Sequence, residues 1–265
     1  MSYKWILIPA LSDNYILLLQ SKKTEEVICF DPGEYSPLAA FFSKNPKARL
    51  KTVFITHQHA DHIGGLKELM QAHPQATLYT SDDSRLSDYR GNVLHDENEV
   101  AVFEDLQIRA LSTPGHTVPA LSYLAHNTQE NIFYFAAGDT VFVSGCGRLF
   151  EGDAQTMWDS LLKLRNQIPA ESLFFCGHEY SLNNMNFVSE TLPSWRPSLS
   201  QKKLQKLQAM AIQGQPTFPI SWSEEVETNP FLNADDLKLR AILGVDPLKP
   251  AFEVFSKLRI ARNSY

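Results

Sequence analysis

No stretch of this sequence approaches the roughly 20 consecutive apolar residues that a bilayer-spanning helix needs, so no transmembrane segment is expected. Two apolar stretches, 5–11 and 15–19, stand near the start. Ser12, Asp13 and Asn14 interrupt them and no small-residue cleavage site follows, so the reading is two strands joined by a turn. Cysteine is scarce. Cys29, Cys146 and Cys176 are an odd number at irregular spacing, which argues against a disulfide framework and suits a reducing compartment, with the cytoplasm as the expected location. Excess positive charge is also missing: 24 Lys and Arg stand against 30 Asp and Glu. Neither nucleic acid nor an anionic membrane is an expected partner, and any anion must be read by a local cluster of cations. There is no internal repeat and no low-complexity tract.

What is present is the composition of a globular chain, 43% hydrophobic and 20% charged over 265 residues, enough for one large or two smaller domains. As far as residue 180, short β-branched or apolar runs alternate with turn residues; strands are expected at 16–19, 27–30, 53–55, 77–79, 108–111, 121–124, 132–135 and 173–176. Helices are expected at 37–44, 61–72 and 157–167. Beyond residue 180 the β-branched clusters thin out, and helical stretches are expected at 183–191, 204–212, 234–243 and 251–261. The fold class expected is α+β, with a catalytic domain over 1–180 and a smaller helical domain over 181–265.

The strongest chemical signal is Thr56-His57-Gln58-His59-Ala60-Asp61-His62, which follows a strand and opens a helix. In extended chain, residues two apart project to one side, so His57 and His59 can grip one ion while the turn into the helix swings Asp61 and His62 toward a second point. Three more ligand types follow apolar runs and sit directly after glycines: Gly115-His116, Gly138-Asp139 and Gly177-His178. Together they make five His and two Asp, a donor set suited to zinc, iron or manganese. If one Asp bridges, each of two divalent ions has four protein ligands, and a bridging hydroxide completes the centre. That chemistry is hydrolysis without a protein nucleophile.

Other candidates are weaker. His73, His95 and His126 lie outside any such pattern. Cys146, between Gly145 and Gly147, has no neighbouring His or carboxylate in sequence to activate it as a nucleophile, and Cys176 reads as a buried strand residue. Asp31, in Asp31-Pro32-Gly33, is either a turn former or a partner that orients a ligating histidine.

The 56–62 motif resembles the signature of the metallo-β-lactamase superfamily. More narrowly, the chain is similar over nearly its whole length to the glyoxalase II (hydroxyacylglutathione hydrolase) family. The matching segments are Asp13-Asn14-Tyr15, Thr113-Pro114-Gly115-His116-Thr117, Gly138-Asp139-Thr140, the run from Gly145 to Gly152, Gly177-His178-Glu179-Tyr180 and Asn229-Pro230-Phe231-Leu232.

The resemblance implies an αββα sandwich followed by a helical domain. It implies one metal held by His57, His59, His116 and Asp139 and a second held by Asp61, His62, His178 and Asp139, with Asp139 as the bridge. The expected catalytic element is a bridging hydroxide held by Asp139 with Asp61 and His62, zinc being the first expected metal. Glutathione is expected against Arg148, Phe150, Tyr180, Arg259 and Arg262, in a monomer that acts on a small-molecule thioester. Three features depart from the family pattern: Pro119-Ala120, Phe150 where Tyr is common, and Asn233 where Arg is frequent. A single-iron persulfide dioxygenase resembles only the first domain, and a phosphodiesterase on the same scaffold is disfavoured by the acidic charge.

Overall fold

The computed structural model describes residues 1–265. It is α+β and packs as two compact units, one made of Met1–Ser112 and Pro119–Gly138, the other of Thr113–Val118 and Asp139–Tyr265. No helix is long and apolar enough to cross a membrane.

In the first unit, the two opening apolar stretches form the antiparallel pair β1 (Tyr3–Ala10) and β2 (Asn14–Ser21), with Ile8 opposite Ile16. Next come β3 (Glu26–Phe30), β4 (Arg49–Phe54), β5 (Thr77–Thr80) and β6 (Asn92–Val93), giving one sheet in the order β1-β2-β3-β4-β5-β6. Strand β2 pairs antiparallel with β3, and the pairs from β3 to β6 are parallel. Six consecutive residues of β2, Ile16 to Ser21, are buried, so a two-residue alternation is absent, as expected for an interior strand covered on both faces. Leu38 of helix α1 (Tyr35–Lys44) and Leu66 and Leu69 further on pack with Leu18, Cys29 and Val53 in one core cluster. Fully burying each such leucine contributes about 1.5–3 kcal/mol. Strands β7 (Glu99–Phe103), β8 (Leu106–Ser112), β9 (Leu121–Asn127) and β10 (Ile132–Ala136) form antiparallel neighbours in that order.

The single helix expected over 61–72 is two: α2 (Ala60–Ile63) and α3 (Leu66–Ala72). Between them the Gly65 N–H leaves the helical ladder and donates to the Pro32 carbonyl at 2.8 Å. A Cβ on Gly64 would lie 2.6 Å from the Gly33 carbonyl oxygen, and one on Gly65 2.4 Å from backbone of Glu34 and Tyr35. Two glycines therefore let two backbones touch where the ligand motif turns, and that contact breaks the helix.

The second unit holds a two-residue-per-strand hairpin, β11 (Val141–Phe142) and β12 (Gly145–Cys146), then α4 (Ala154–Gln167) and the antiparallel pair β13 (Leu173–Phe175) and β14 (Ile220–Ser221). Asp153 caps α4 by accepting from Thr156 N at 2.8 Å, and Met157, Leu161 and Leu164 form its buried stripe. The remaining helices are α5 (Ser181–Thr191), α6 (Pro197–Ile212), α7 (Trp222–Thr228), α8 (Leu237–Ile242) and α9 (Ala251–Asn263). Helix α6 starts seven residues before the expected point, with Pro197 in its first turn. Helix α7 was not expected, although Ser221 and Glu224 carry the sequence sign of its start: Ser221 Oγ accepts from Glu224 N at 3.3 Å.

Candidate metal centre

The 56–62 motif leaves β4 and is fixed from two sides. Leu121 N donates to the Thr56 carbonyl at 2.9 Å and the Tyr123 hydroxyl to the Ile55 carbonyl at 2.7 Å. From the neighbouring strand, Asp31 stands directly after β3 in a left-handed conformation, φ 50°. One carboxylate oxygen of Asp31 accepts Thr56 N at 2.7 Å; the other accepts the Thr56 hydroxyl at 2.6 Å and lies 3.0 Å from His62 Nδ1.

These contacts set the tautomers. A carboxylate only accepts, so Nδ1 of His62 carries a proton, and in the neutral imidazole the lone pair is then on Nε2. The Thr56 hydroxyl proton is committed to Asp31, so Thr56 Oγ1 accepts from His57 Nδ1 at 3.0 Å, leaving His57 Nε2 as an electron-pair donor 3.1 Å from His59 Nδ1. Asp31, His57 and His62 bring ligand-type atoms within 4.8 Å of one another. Asp31 nevertheless serves as the orienting group, because both of its oxygens already hold protons of the motif. Asp61 is steadied by Asn14, whose Nδ2 donates to Oδ2 at 3.1 Å, and that oxygen lies 3.7 Å from His62 Nε2.

In the second unit, His116, Asp139 and His178 converge. Asp139 Oδ2 lies 3.6 Å from His116 Nε2 and 3.3 Å from His178 Nε2, and all three residues are buried. His116 Nδ1 donates to the Arg148 carbonyl at 2.8 Å, which again leaves Nε2 bearing the lone pair. Gly115, φ 145°, has Met157 where a Cβ would stand, the nearest atom 2.6 Å away, and Gly138, φ 54°, has Thr56 at 2.6 Å. The glycines before His116 and Asp139 are thus required by close approach as well as by conformation.

The donors fit a cation. In each unit an imidazole lone pair faces a carboxylate oxygen, a repulsive pairing unless positive charge lies between them. The separations of 3.3–3.7 Å exceed the usual charge-assisted hydrogen bond. They match the spacing of about 3.4 Å that two ligands of a tetrahedral ion keep when each is about 2.1 Å from it. In the first unit His57, His59, Asp61 and His62 lie together; in the second, His116, Asp139 and His178.

The residues expected around a glutathione moiety all belong to the second unit. Tyr180 stacks on His178, ring centroids 4.7 Å apart, and Phe150, 63% exposed, sets its edge toward His116 at 5.2 Å. Arg262 is held below the ordinary arginine range by burial first and by neighbouring Arg259 and Arg148 second. Arg259 donates to the Cys146 carbonyl at 2.7 Å and Arg262 Nε to Asn184 Oδ1 at 3.1 Å. Arg259 and Arg262 thus direct their hydrogen bonds to a carbonyl and to the amides of Asn263 and Asn184 rather than to carboxylates, which leaves their charge available to an anion.

The cysteines do not suit a thiolate mechanism. All three are free and buried, and burial pushes each thiol up, in Cys146 against the opposing pull of Arg259. Asn233, where the sequence departs from the family pattern, donates to the Val226 and Asn229 carbonyls at 2.7 and 2.8 Å and accepts from Arg196 at 3.3 Å. It closes the turn after α7.

Residues 11–178 match the model of the metallo-beta-lactamase superfamily, and residues 179–265 that of the hydroxyacylglutathione hydrolase C-terminus. Proteins named hydroxyacylglutathione hydrolase from Rhodopseudomonas palustris and Xanthomonas euvesicatoria are 35% and 36% identical to this chain, over 97% and 96% of both partners respectively. Among solved structures, ETHE1 from Myxococcus xanthus has a TM-score of 0.65 at 24% identity and covers 98% of this chain and 90% of its own. A metallo-beta-lactamase from Staphylococcus aureus has the same TM-score at 18% identity, covering 98% of this chain and 72% of its own; both likenesses speak to the fold. With one model matched over the ligand motif and the other over the helices that follow, the chain belongs to the hydroxyacylglutathione hydrolase (glyoxalase II) family of metal-binding hydrolases with the metallo-β-lactamase fold.

Proposed function

We propose that this enzyme is a binuclear metal-dependent thioester hydrolase that converts S-(2-hydroxyacyl)glutathione, first of all S-D-lactoylglutathione, to glutathione and a 2-hydroxy acid, the second step of methylglyoxal detoxification. The observation that carries the reading is Asp139 Oδ2, which faces the Nε2 atoms of both His116 and His178 and so suits a shared ligand. His57, His59, His116 and Asp139 would hold one ion, and Asp61, His62, His178 and Asp139 the other; zinc is the first choice, with iron or manganese also suited. Two divalent ions there would supply Lewis acidity, lowering the pKa of water toward about 7 and stabilising charge on the thioester oxygen and the departing thiolate.

The chain's own residues bind and orient. Arg148, Arg259 and Arg262 offer paired N–H donors to the two carboxylates of glutathione. Tyr180, stacked on His178, and Phe150, beside His116, flank the acyl end. Phe150 offers an apolar edge and no hydroxyl. Asp31 and the Arg148 carbonyl hold His62 and His116 in the tautomer that donates an electron pair from Nε2. In this reading residues 1–180 are the catalytic domain and 181–265 the substrate-binding domain, and the enzyme works as a cytoplasmic monomer, the compartment that three free buried thiols suit.

The test is incubation of metal-loaded protein with S-D-lactoylglutathione while thioester absorbance is followed. Steady loss with release of free thiol is expected; none at full metal loading would overturn the reading.

A further inference from the structure

Residues 139–148 carry three separate tasks in the second unit. Asp139 begins the segment, the Arg148 carbonyl at its end orients His116, and the Cys146 carbonyl accepts from Arg259. The Gly147 N–H donates to the Thr140 carbonyl at 3.3 Å, so the β11–β12 ladder continues toward Asp139. A Cβ on Gly147 would sit 2.1 Å from the Asp139 carbonyl oxygen and 3.0 Å from His116 Nδ1. A shift of this hairpin therefore moves a ligand, the orientation of a second ligand and a substrate-binding arginine together.

A hairpin with two residues in each strand has little holding power of its own. Its remaining backbone groups are met by side chains from far along the chain. Asn184 donates to the Val143 carbonyl at 3.1 Å, and Asn229 to the carbonyls of Phe142 at 3.3 Å and Gly145 at 2.9 Å. At the tip, Ser144 is fully buried in a left-handed conformation, φ 58°, and its N–H donates to Glu225 Oε1 at 2.7 Å.

Glu225 is itself completely buried. Its other oxygen accepts from Lys203 Nζ at 2.6 Å; Lys203 also donates to Thr228 Oγ1 at 2.6 Å and is 1% exposed in its side chain. A buried ion pair seldom adds net stability, since desolvation offsets most of the attraction. What this pair supplies is a fixed acceptor at a backbone N–H that water does not reach.

We propose that Glu225, with Lys203 as its counter-ion, is a positioning residue that sets the 139–148 hairpin, and through it both the metal ligand Asp139 and the substrate anchor Arg259. The proposal rests on the metal-dependent reading above. The acceptor does the work and the charge is there to accommodate it.

Two double variants separate the acceptor from the charge. Lys203→Met with Glu225→Gln removes both charges and keeps an oxygen for Ser144. Lys203→Met with Glu225→Leu removes the acceptor as well. Zinc affinity is measured on metal-free protein by competition with a chromogenic chelator, and KM and kcat on fully loaded protein. The Gln pair should match the parent, whereas the Leu pair should lose about tenfold in zinc affinity, the range typical of a group that orients metal ligands, with KM for the glutathione thioester raised by a similar factor. A folded Leu pair with the zinc affinity and KM of the Gln pair would overturn the proposal.

Amide hydrogen exchange on the parent chain gives a second reading that needs no variant: the Ser144 amide should be strongly protected, and exchange at the rate of an exposed amide would overturn the proposal even if the Leu pair failed to fold. Should the parent bind zinc yet leave the thioester intact, the function proposed above fails, while the chelator comparison still decides the role of Glu225.

Discussion

Asp31 and His62, 31 residues apart in sequence, meet at 3.0 Å, and this contact decides which imidazole nitrogen of His62 keeps its lone pair. The same Asp31 oxygen receives the Thr56 hydroxyl, which in turn fixes His57. One carboxylate outside the proposed ligand set thereby orients two of its histidines.

Replacing Asp31 with Asn puts an amide N–H where an acceptor stood, so His62 turns to the tautomer protonated on Nε2. Metal affinity should fall by about 10 to 100-fold while the fold survives. Chelator competition on the apo protein, beside circular dichroism, checks it; an unchanged affinity would show that Asp31 serves only its turn.

Arg262→Ala should raise KM for the glutathione thioester by about 10 to 100-fold at nearly constant kcat, since a charge-assisted bond contributes about 1.5–3 kcal/mol and lies away from the reacting carbonyl. Arg259→Ala should do the same and also lower Tm, because it strands the Cys146 carbonyl. Steady-state kinetics with a control thioester lacking carboxylates decides: an equal loss on the control would mean that these arginines do not read glutathione.

The clustering of ligand-type residues within each unit was legible because metal chemistry restricts residue type and because His57, His59, Asp61 and His62 are adjacent in sequence. Asp31 was not decidable, since its role depends on the parallel pairing that sets Phe30 of β3 beside Phe54 of β4. Nothing local marks Asn184 or Glu225, and Asn229 stood out only as the start of a segment resembling the family; their hydrogen bonds to the hairpin span 41 to 87 residues. The hairpin strands are too short for any periodicity. The break at Gly64 and Gly65 escaped because the apolar pattern runs through it, and only the backbone of residues 32–35 imposes it.

Stability should depend on pH through Asp235, which makes two hydrogen bonds to Arg165 at 2.7 and 2.6 Å. Arg165, by hydrogen bonding and by charge, holds this carboxyl below its usual range against the opposing effect of burial. Its folded pKa is depressed, so the contribution is present above the unfolded value of about 3.9 and is lost as pH falls through the folded value. The Asp235 side chain is 46% exposed, and screening limits the effect to about 1 kcal/mol or less. In urea melts of apo protein, Asp235→Asn should be less stable than the parent at pH 7, and the gap should close in strong acid. A gap that persists there would assign the loss to packing.

The three thiols should resist alkylation in the native protein at neutral pH, because burial pushes each of them up. Mass spectrometry after treatment with iodoacetamide should show an unmodified chain that retains thioester hydrolysis. Rapid labelling of Cys146 with parallel loss of activity would revive a thiol nucleophile.

The most direct test of the account is a titration of metal-free protein with zinc, and in parallel with iron or manganese, during turnover of S-D-lactoylglutathione, with bound metal measured by elemental analysis. Activity should climb until two ions are bound per chain and then level off. Full activity with a single ion, or an intact thioester with two, would contradict it.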